Sequence, residues 1–270
     1  MTRAFRYSAA SPAVLRQNAK HGFAARHALC HYGSDTVYSF IPKNGCSTMR
    51  LSLAVANGCI ADEQDWLWIH ANNETFRASL RELARARFTF VILRCPFSRL
   101  ASAFLDKIVS RKPDFWELHR AEGERFDPAS LSFRGFVKLL QKPGHLRRNL
   151  HWAPQSDFLV YKDYDFWGAL ESFDAAKQKI EMETGMTILD ARPWTAHGTS
   201  GGEVVEAQNF ADMTLHRLEG LKIDGRLPPH AQLYDAQLRE SVARLYADDL
   251  KLYIERLGRE RLTFPDIEIP

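Results

Sequence analysis

"RFTFVILRCPFSRLASAFLDKI" (residues 87–108) changes its period halfway along. Residues 87–94 form a continuous apolar run bounded by charge, the pattern of a central strand buried on both faces of a parallel sheet. From Phe97 onward, Phe97, Leu100, Ala101, Phe104, Leu105 and Ile108 recur at i, i+3, i+4, i+7, i+8 and i+11, one face of a helix. Pro96 suits the first turn of that helix, where a missing N–H loses no hydrogen bond.

The same alternation runs outward in both directions. "TVYSFIP" (36–42) reads as a strand meeting a turn, followed by a helix from about Ser47 to Asn57 with Asn57-Gly58 as its stop. A second helix is expected over about 74–86. "DFLVYK" (157–162) and "YDFWGALE" (164–171) read as strand-forming pieces, with a helix after Ser172. Val242, Leu245, Tyr246, Leu250, Tyr253, Ile254 and Leu257 predict one long amphipathic helix closed by Gly258. Strands alternating with helices imply an α/β layer fold with a central, mostly parallel sheet flanked by helices. Ligands of such sheets bind beyond the C-terminal strand ends.

Size and charge narrow the classes. A chain of 270 residues, 45% apolar and 26% charged, can bury a full-sized core, and without repeats or linkers a single domain is expected. No apolar run reaches the roughly 18 residues of a membrane span, and the N-terminus lacks the apolar core of a secretory signal. Cys30, Cys46, Cys59 and Cys95 form no CxxC or disulfide framework, which fits a reducing compartment. A net charge of +3 is too small to argue for nucleic acid as a partner.

Two strand ends carry the chemistry. "FIPKNGCSTMR" (40–50) puts Lys43, Gly45, Ser47 and Thr48 between a strand and a helix. Such a turn offers unpaired N–H groups and the positive end of a helix dipole. Gly45 permits close approach, Lys43 brings a compact charge, and the hydroxyls donate. A tetrahedral anion would fit there; a solvated turn is the alternative. The Walker pattern GxxxxGK[ST] is absent, since Lys43 precedes the glycine, which argues against an ordinary ATPase or GTPase. Arg94 ends its apolar strand, where a charge is costly without a partner. Ser102 follows eight residues on, between Ala101 and Ala103 and off the apolar stripe. The pair would converge on a second anionic group, or else be an Arg paired with a carboxylate and a surface Ser.

Taken in order, these segments resemble sulfotransferases. "PKNGCST" is similar to their 5′-phosphosulfate loop, and "FTFVILRCPFSRLASAFLDK" to their 3′-phosphate segment in the form found in carbohydrate sulfotransferases of the Golgi type and their bacterial relatives. "NLHWAPQ" (149–155), "YDFWGALE" and "VARLYADDLKLY" (242–253) extend the resemblance over about residues 36–256, leaving 1–35 as an N-terminal extension.

The resemblance implies a P-loop NTPase-like three-layer fold and a metal-independent enzyme using 3′-phosphoadenosine 5′-phosphosulfate (PAPS), with a carbohydrate or glycolipid hydroxyl as acceptor. It implies donor contacts from Lys43, Asn44, Gly45, Cys46, Ser47 and Thr48 at the 5′ end, and from Arg94 and Ser102 at the 3′-phosphate. Lys43 would also stabilise charge during transfer. The base would be His70, in "WLWIHANN" 24 residues before Arg94, or His151 in "HWAPQ". Two departures stand out: Met49 where relatives often carry Trp, and Cys95 in place of Asp, read as a packed thiol. The Golgi relatives have a membrane anchor, which this chain is not expected to share; the bacterial relatives also lack one, so the resemblance implies a cytoplasmic enzyme. Basic residues over 133–149 (Arg134, Lys138, Lys142, Arg147, Arg148) suit an acceptor groove or a solvated helix face, and "TAHGTSGG" (195–202) suits a closing loop. The competing readings are a nucleotide-binding module without turnover and a small-molecule kinase.

Overall fold

Four strands line up in chain order: β1 (Ala28–His31), β2 (Thr36–Ser39), β3 (Phe88–Leu93) and β4 (Phe166–Ala169). β1 runs antiparallel to β2, whereas β2–β3 and β3–β4 are parallel, so the sheet is mostly parallel as expected. The computed structural model describes residues 3–9, 14–72, 74–193 and 209–270. The chain divides into two compact units, Met1–Arg94 with Gln155–Ala196 and Cys95–Pro154 with His197–Pro270.

The first unit holds the whole sheet. All six residues of β3 are buried, which explains its unbroken apolar run. Because side chains alternate across a strand, Tyr38, Phe88, Phe90 and Ile92 share one face. They pack with Met49, Leu51 and Leu53 of one helix and Ile180 of the helix Phe173–Thr184. Tyr38 stacks on Phe90 at 4.8 Å. Burying such a ring is worth about 2–3 kcal/mol. Residues of the opposite face make polar bonds: Ser39 Oγ lies 2.7 Å from Tyr164 Oη, and Thr89 donates from N and Oγ1 to Asp165 at 2.7 and 2.9 Å. Helices α1 (Ala19–Arg26), α2 (Cys46–Ala56), α3 (Trp68–Ala71) and α4 (Leu80–Arg85) complete the first half of the unit.

The stretch before residue 36 supplies α1 and the edge strand β1. Two expectations for this unit change. The helix expected over 74–86 is only α4, because residues 76–78 pair with β1 through Cys30 N to Phe76 O (2.7 Å) and Ala78 N to Ala28 O (2.8 Å). Ser79 then starts the helix in a capping box with Glu82. "DFLVYK" is no strand: Gln155–Phe158 is a 3₁₀ turn, and Tyr161 makes a lone bridge to Phe5. The Tyr164 hydroxyl accepts the Val160 N–H, and the N-terminal segment takes Val160 O through Arg6 N at 2.9 Å. The apolar run is therefore buried without a ladder.

The second unit is helical among its described residues. The stripe at 97–108 is buried as predicted, but its α-helix stops at Ala103 and widens into a π-helical turn over Phe104–Ile108. The C-terminal helix is two helices, Ala236–Leu245 and Ala247–Leu257. They part at Tyr246 (φ −117°, ψ 30°), whose hydroxyl donates to Trp152 O at 2.5 Å. Asp248 and Asp249 then suit the positive start of the second helix.

Candidate active site

After β2 the chain enters a turn held by backbone strain. Lys43 has φ 73° and Gly45 φ 74°. For a non-glycine residue the left-handed region costs about 1–2 kcal/mol, so Lys43 stays there only because its surroundings hold it. At Gly45 the constraint is double, since a Cβ would also meet Leu170 Cδ1 at 3.2 Å. Gly45 is the N-cap of α2, and its carbonyl accepts the first helical bond, from Met49 N at 3.2 Å. The N–H groups of Cys46, Ser47 and Thr48 precede that bond, and the N-cap glycine has no side chain to offer them. The turn thus offers backbone donors and a dipole end beside Lys43, as anion binding requires.

Asn44 has a different job from the one expected. It is 0% exposed, and its Nδ2 donates to Ile92 O (2.9 Å) and Gln155 Oε1 (2.6 Å), while its backbone N–H goes to Ile41 O. With both donor groups engaged inside the protein, it braces the loop. Its Oδ1 is buried without a hydrogen-bond partner among the described residues. Thr48 is also nearly buried, and its hydroxyl oxygen accepts Ala191 N–H at 3.3 Å. Cys46 and Ser47 are half-buried at the mouth of the turn. Met49 lies wholly in the core.

Arg94 meets the loop. Its Nη1 donates to Lys43 O at 2.9 Å, which joins the charge at the strand end to the main chain of the loop. Gln155 grips its backbone from both sides, accepting from Arg94 N (3.0 Å) and donating to Arg94 O (2.8 Å). Lys43 and Arg94, 51 residues apart, are therefore direct neighbours. His70 sits exposed on α3, its ring edge-on to Trp66 at 5.4 Å. Arg50 ties that segment to α2 by donating to Ile69 O at 2.8 Å.

In the second unit, Ser102 lies on the helix Pro96–Ala103 and is 8% exposed, where its small neighbours had suggested an open face. Cys95 is the packed thiol expected, buried 3.2 Å from Thr263 Oγ1. His151 is held on several sides. Its Nδ1 lies 2.7 Å from Asp114 Oδ1 and 3.0 Å from Asn149 Oδ1, and its backbone N–H donates to Asn149 Oδ1 at 2.9 Å. Buried Arg99 binds Ala153 O (2.7 Å) and Leu150 O (3.1 Å), on either side of His151. Burial works against the Asp114 charge. The hydrogen bond and charge of His151, with a further bond from Asn149, outweigh it and hold the carboxyl well below its usual range. A carboxylate at Nδ1 fixes the proton there and leaves Nε2 as the basic nitrogen of the neutral ring.

Sequence reading missed Asp114, Arg99 and the role of Gln155. Gln155 closes the "HWAPQ" motif and so had a signal; Asp114 had none. The basic stretch at 133–149 is partly committed: Arg134 pairs with Asp212 and Asp235, and Lys142 with Glu122. The loop at 195–202 lies outside the described residues. Among the described residues there is no group of three or more His, Cys, Asp or Glu suited to a metal ion, and no helix is long and apolar enough to cross a membrane.

Comparison with known proteins adds to this geometry. The family model described as the sulfotransferase family matches residues 34–254. Carbohydrate sulfotransferase 10 of Xenopus laevis is 26% identical over 199 residues, covering 63% of this chain and 56% of that protein. Carbohydrate sulfotransferase 14 of Danio rerio is 25% identical over 183 residues, covering 59% of this chain and 48% of that protein. The chain thus spans about half the length of the curated relatives it matches. No solved structure matches.

Proposed function

The chain belongs to the sulfotransferase family, and from that premise we propose that it transfers the sulfuryl group of PAPS to a hydroxyl of a carbohydrate. The observation that carries this reading is the Lys43–Arg94 junction: a strained loop with a glycine N-cap at the helix start, joined to a strand-end guanidinium by the 2.9 Å bond to Lys43 O. A nucleotide charged at both ends suits that pair.

In this reading the amides of Cys46 and Ser47, with the Ser47 hydroxyl, take the 5′ oxygens. Thr48 adds its hydroxyl proton, since its oxygen already accepts from Ala191. Gly45 allows the close approach, and Arg94 takes the 3′-phosphate, with Ser102 assigned there by its place in the motif. The acceptor oxygen attacks sulfur in line as the bond from sulfur to the 5′-phosphate oxygen breaks. Products are the sulfate ester and adenosine 3′,5′-bisphosphate. Lys43 neutralises the charge that grows on the leaving phosphate.

The acceptor proton goes to a histidine. We assign it to His151, because Asp114 fixes its tautomer and would stabilise the imidazolium that forms, as an oriented base requires. His70 remains the alternative base. Transfer of labelled sulfate from PAPS to a panel of carbohydrates tests the activity. Calorimetry with adenosine 3′,5′-bisphosphate tests the donor site, and failure to bind it sinks the reading. Tight binding without turnover on any acceptor favours the silent module instead.

A further inference from the structure

The loop and Arg94 each need an anchor, and one buried side chain supplies both. We propose that Gln155 is a positioning residue that locks Arg94 and the Lys43 loop into a single donor-reading unit, with Asn44 as its relay. This inference rests on the donor reading above.

The geometry is a closed ring of hydrogen bonds. β3 loses its ladder at Arg94, because its last paired residues are Val91 opposite β2 and Leu93 opposite β4. The Gln155 amide takes the place of a neighbouring strand there, accepting from Arg94 N at 3.0 Å and donating to Arg94 O at 2.8 Å. The same Oε1 accepts Asn44 Nδ2 at 2.6 Å, and that Nδ2 also reaches Ile92 O at 2.9 Å. From Asn44 the backbone leads to Lys43, whose carbonyl receives Arg94 Nη1 at 2.9 Å and closes the ring.

Such a ring does two things. It over-determines the left-handed Lys43, which would relax without it. It also makes the guanidinium and the loop move together, so a displacement at one end is felt at the other. Gln155 is 1% exposed, and its amide must be hydrogen-bonded to sit there. Its side chain bonds both Asn44 and Arg94, the residues that flank the candidate site, and so ties the loop to the strand end.

The test uses the full chain and two probes, adenosine 3′,5′-bisphosphate and 5′-AMP, which lacks the 3′-phosphate. Gln155→Met keeps the bulk and removes the ring; Gln155→Glu is the milder variant, keeping an acceptor for Asn44. Melting curves establish that each variant is folded at the assay temperature. Misplacement of a reading group by about 1 Å is worth up to about a hundredfold. The expected loss for Gln155→Met is therefore at least about tenfold in bisphosphate affinity, with a smaller loss for 5′-AMP. Adding Arg94→Ala to Gln155→Met should then cost much less than Arg94→Ala alone, because coupled residues are not additive.

Unchanged affinities in folded variants, or losses that multiply, overturn the proposal while leaving the donor reading intact. Failure of the wild-type chain to bind the bisphosphate sinks the donor reading itself. Should neither variant fold, amide exchange in the wild-type chain decides. Protection of the Arg94 N–H that rises with bisphosphate supports the ring; exchange unchanged by bisphosphate overturns it.

Discussion

The Lys43 loop and the His151 segment hold their candidate functional groups by opposite means. The loop works through its main chain: two residues at positive φ and a helix start whose amides precede the first helical bond. The His151 segment works through side chains, with Arg99 on two carbonyls, Asn149 on the backbone N–H and Asp114 on the ring. The first is a matter of shape and the second a matter of charge. Each should therefore fail in its own way.

The largest effect is expected at Lys43, the residue of the loop whose side chain contributes charge. Lys43→Ala should lower kcat by about 10²–10³, the scale of losing one transition-state donor. Affinity for adenosine 3′,5′-bisphosphate should fall by less, about tenfold, because the amides and Arg94 remain. Initial rates with PAPS and calorimetry on the same variant give the two numbers. A loss confined to affinity would show that Lys43 binds the ground state only.

In the His151 segment the expected pattern is graded. His151→Ala removes the base and should cost about 10² in kcat, with bisphosphate affinity kept. Asp114→Asn leaves a ring but removes the carboxylate that stabilises its protonated form, for a loss of about tenfold. The sign of its pH effect follows directly. Without the negative charge the imidazolium is less stable, so the His151 pKa falls and the acid limb of kcat/KM moves to lower pH. His70→Ala should leave both kcat and the pH profile near wild type. A dead His70→Ala with an active His151→Ala would reverse the assignment.

That contrast also explains what the sequence made legible. The loop could be read because its chemistry lies in consecutive residues: Lys43, Gly45, Ser47 and Thr48 declare charge, backbone freedom and hydroxyls in one glance. The strand–helix switch at Arg94 was equally local, since a change of hydrophobic period marks it. Asp114 and Gln155 act across 37 and 61 residues of chain, to His151 and Arg94; nothing local distinguishes Asp114 from any surface Asp, and the motif that Gln155 closes marks its place but not its partner. Asn44 was misread for the same reason, because its neighbours suggest a ligand and only the fold reveals Gln155 beneath it. The apolar run at 157–162 was misread because burial without a ladder looks, in sequence, like a strand.

A second histidine sharpens the comparison from the loop's side. His27 packs beside Phe40, which precedes the loop, its ring against Phe23, Phe40 and Phe158, its Nδ1 donating to Phe23 O at 2.8 Å, and its carbonyl accepting Phe40 N. Burial lowers its pKa to about 4 from 6.5, against the raising effect of the Phe23 bond. Between those values the unfolded chain holds a proton that the folded chain excludes. Stability from this group is thus full above pH 6.5 and declines as the pH falls toward 4, by about 3 kcal/mol at the limit. Urea unfolding at pH 7 and 4.5 should show the decline, and His27→Gln should flatten it. Asp114 acts in the same direction at lower pH: its depressed pKa contributes stability above the usual carboxylate value, which is lost as pH falls toward its low folded value.

The smallest effect probes shape alone. Gly45→Ala changes no charge, yet it imposes a side chain on φ 74° and sets a methyl 3.2 Å from Leu170 Cδ1. The expected cost is about 1–2 kcal/mol of stability. A loss of bisphosphate affinity should accompany it, because the amides of Cys46 and Ser47 start from that residue. Leu170→Ala in the same chain separates the causes: partial rescue assigns the loss to contact, and no rescue assigns it to the backbone angle. If Gly45→Ala binds the bisphosphate as tightly as wild type, main-chain shape is irrelevant to the anion. Lys43 and Arg94 would then act as side-chain charges, and the two regions would work by the same means after all.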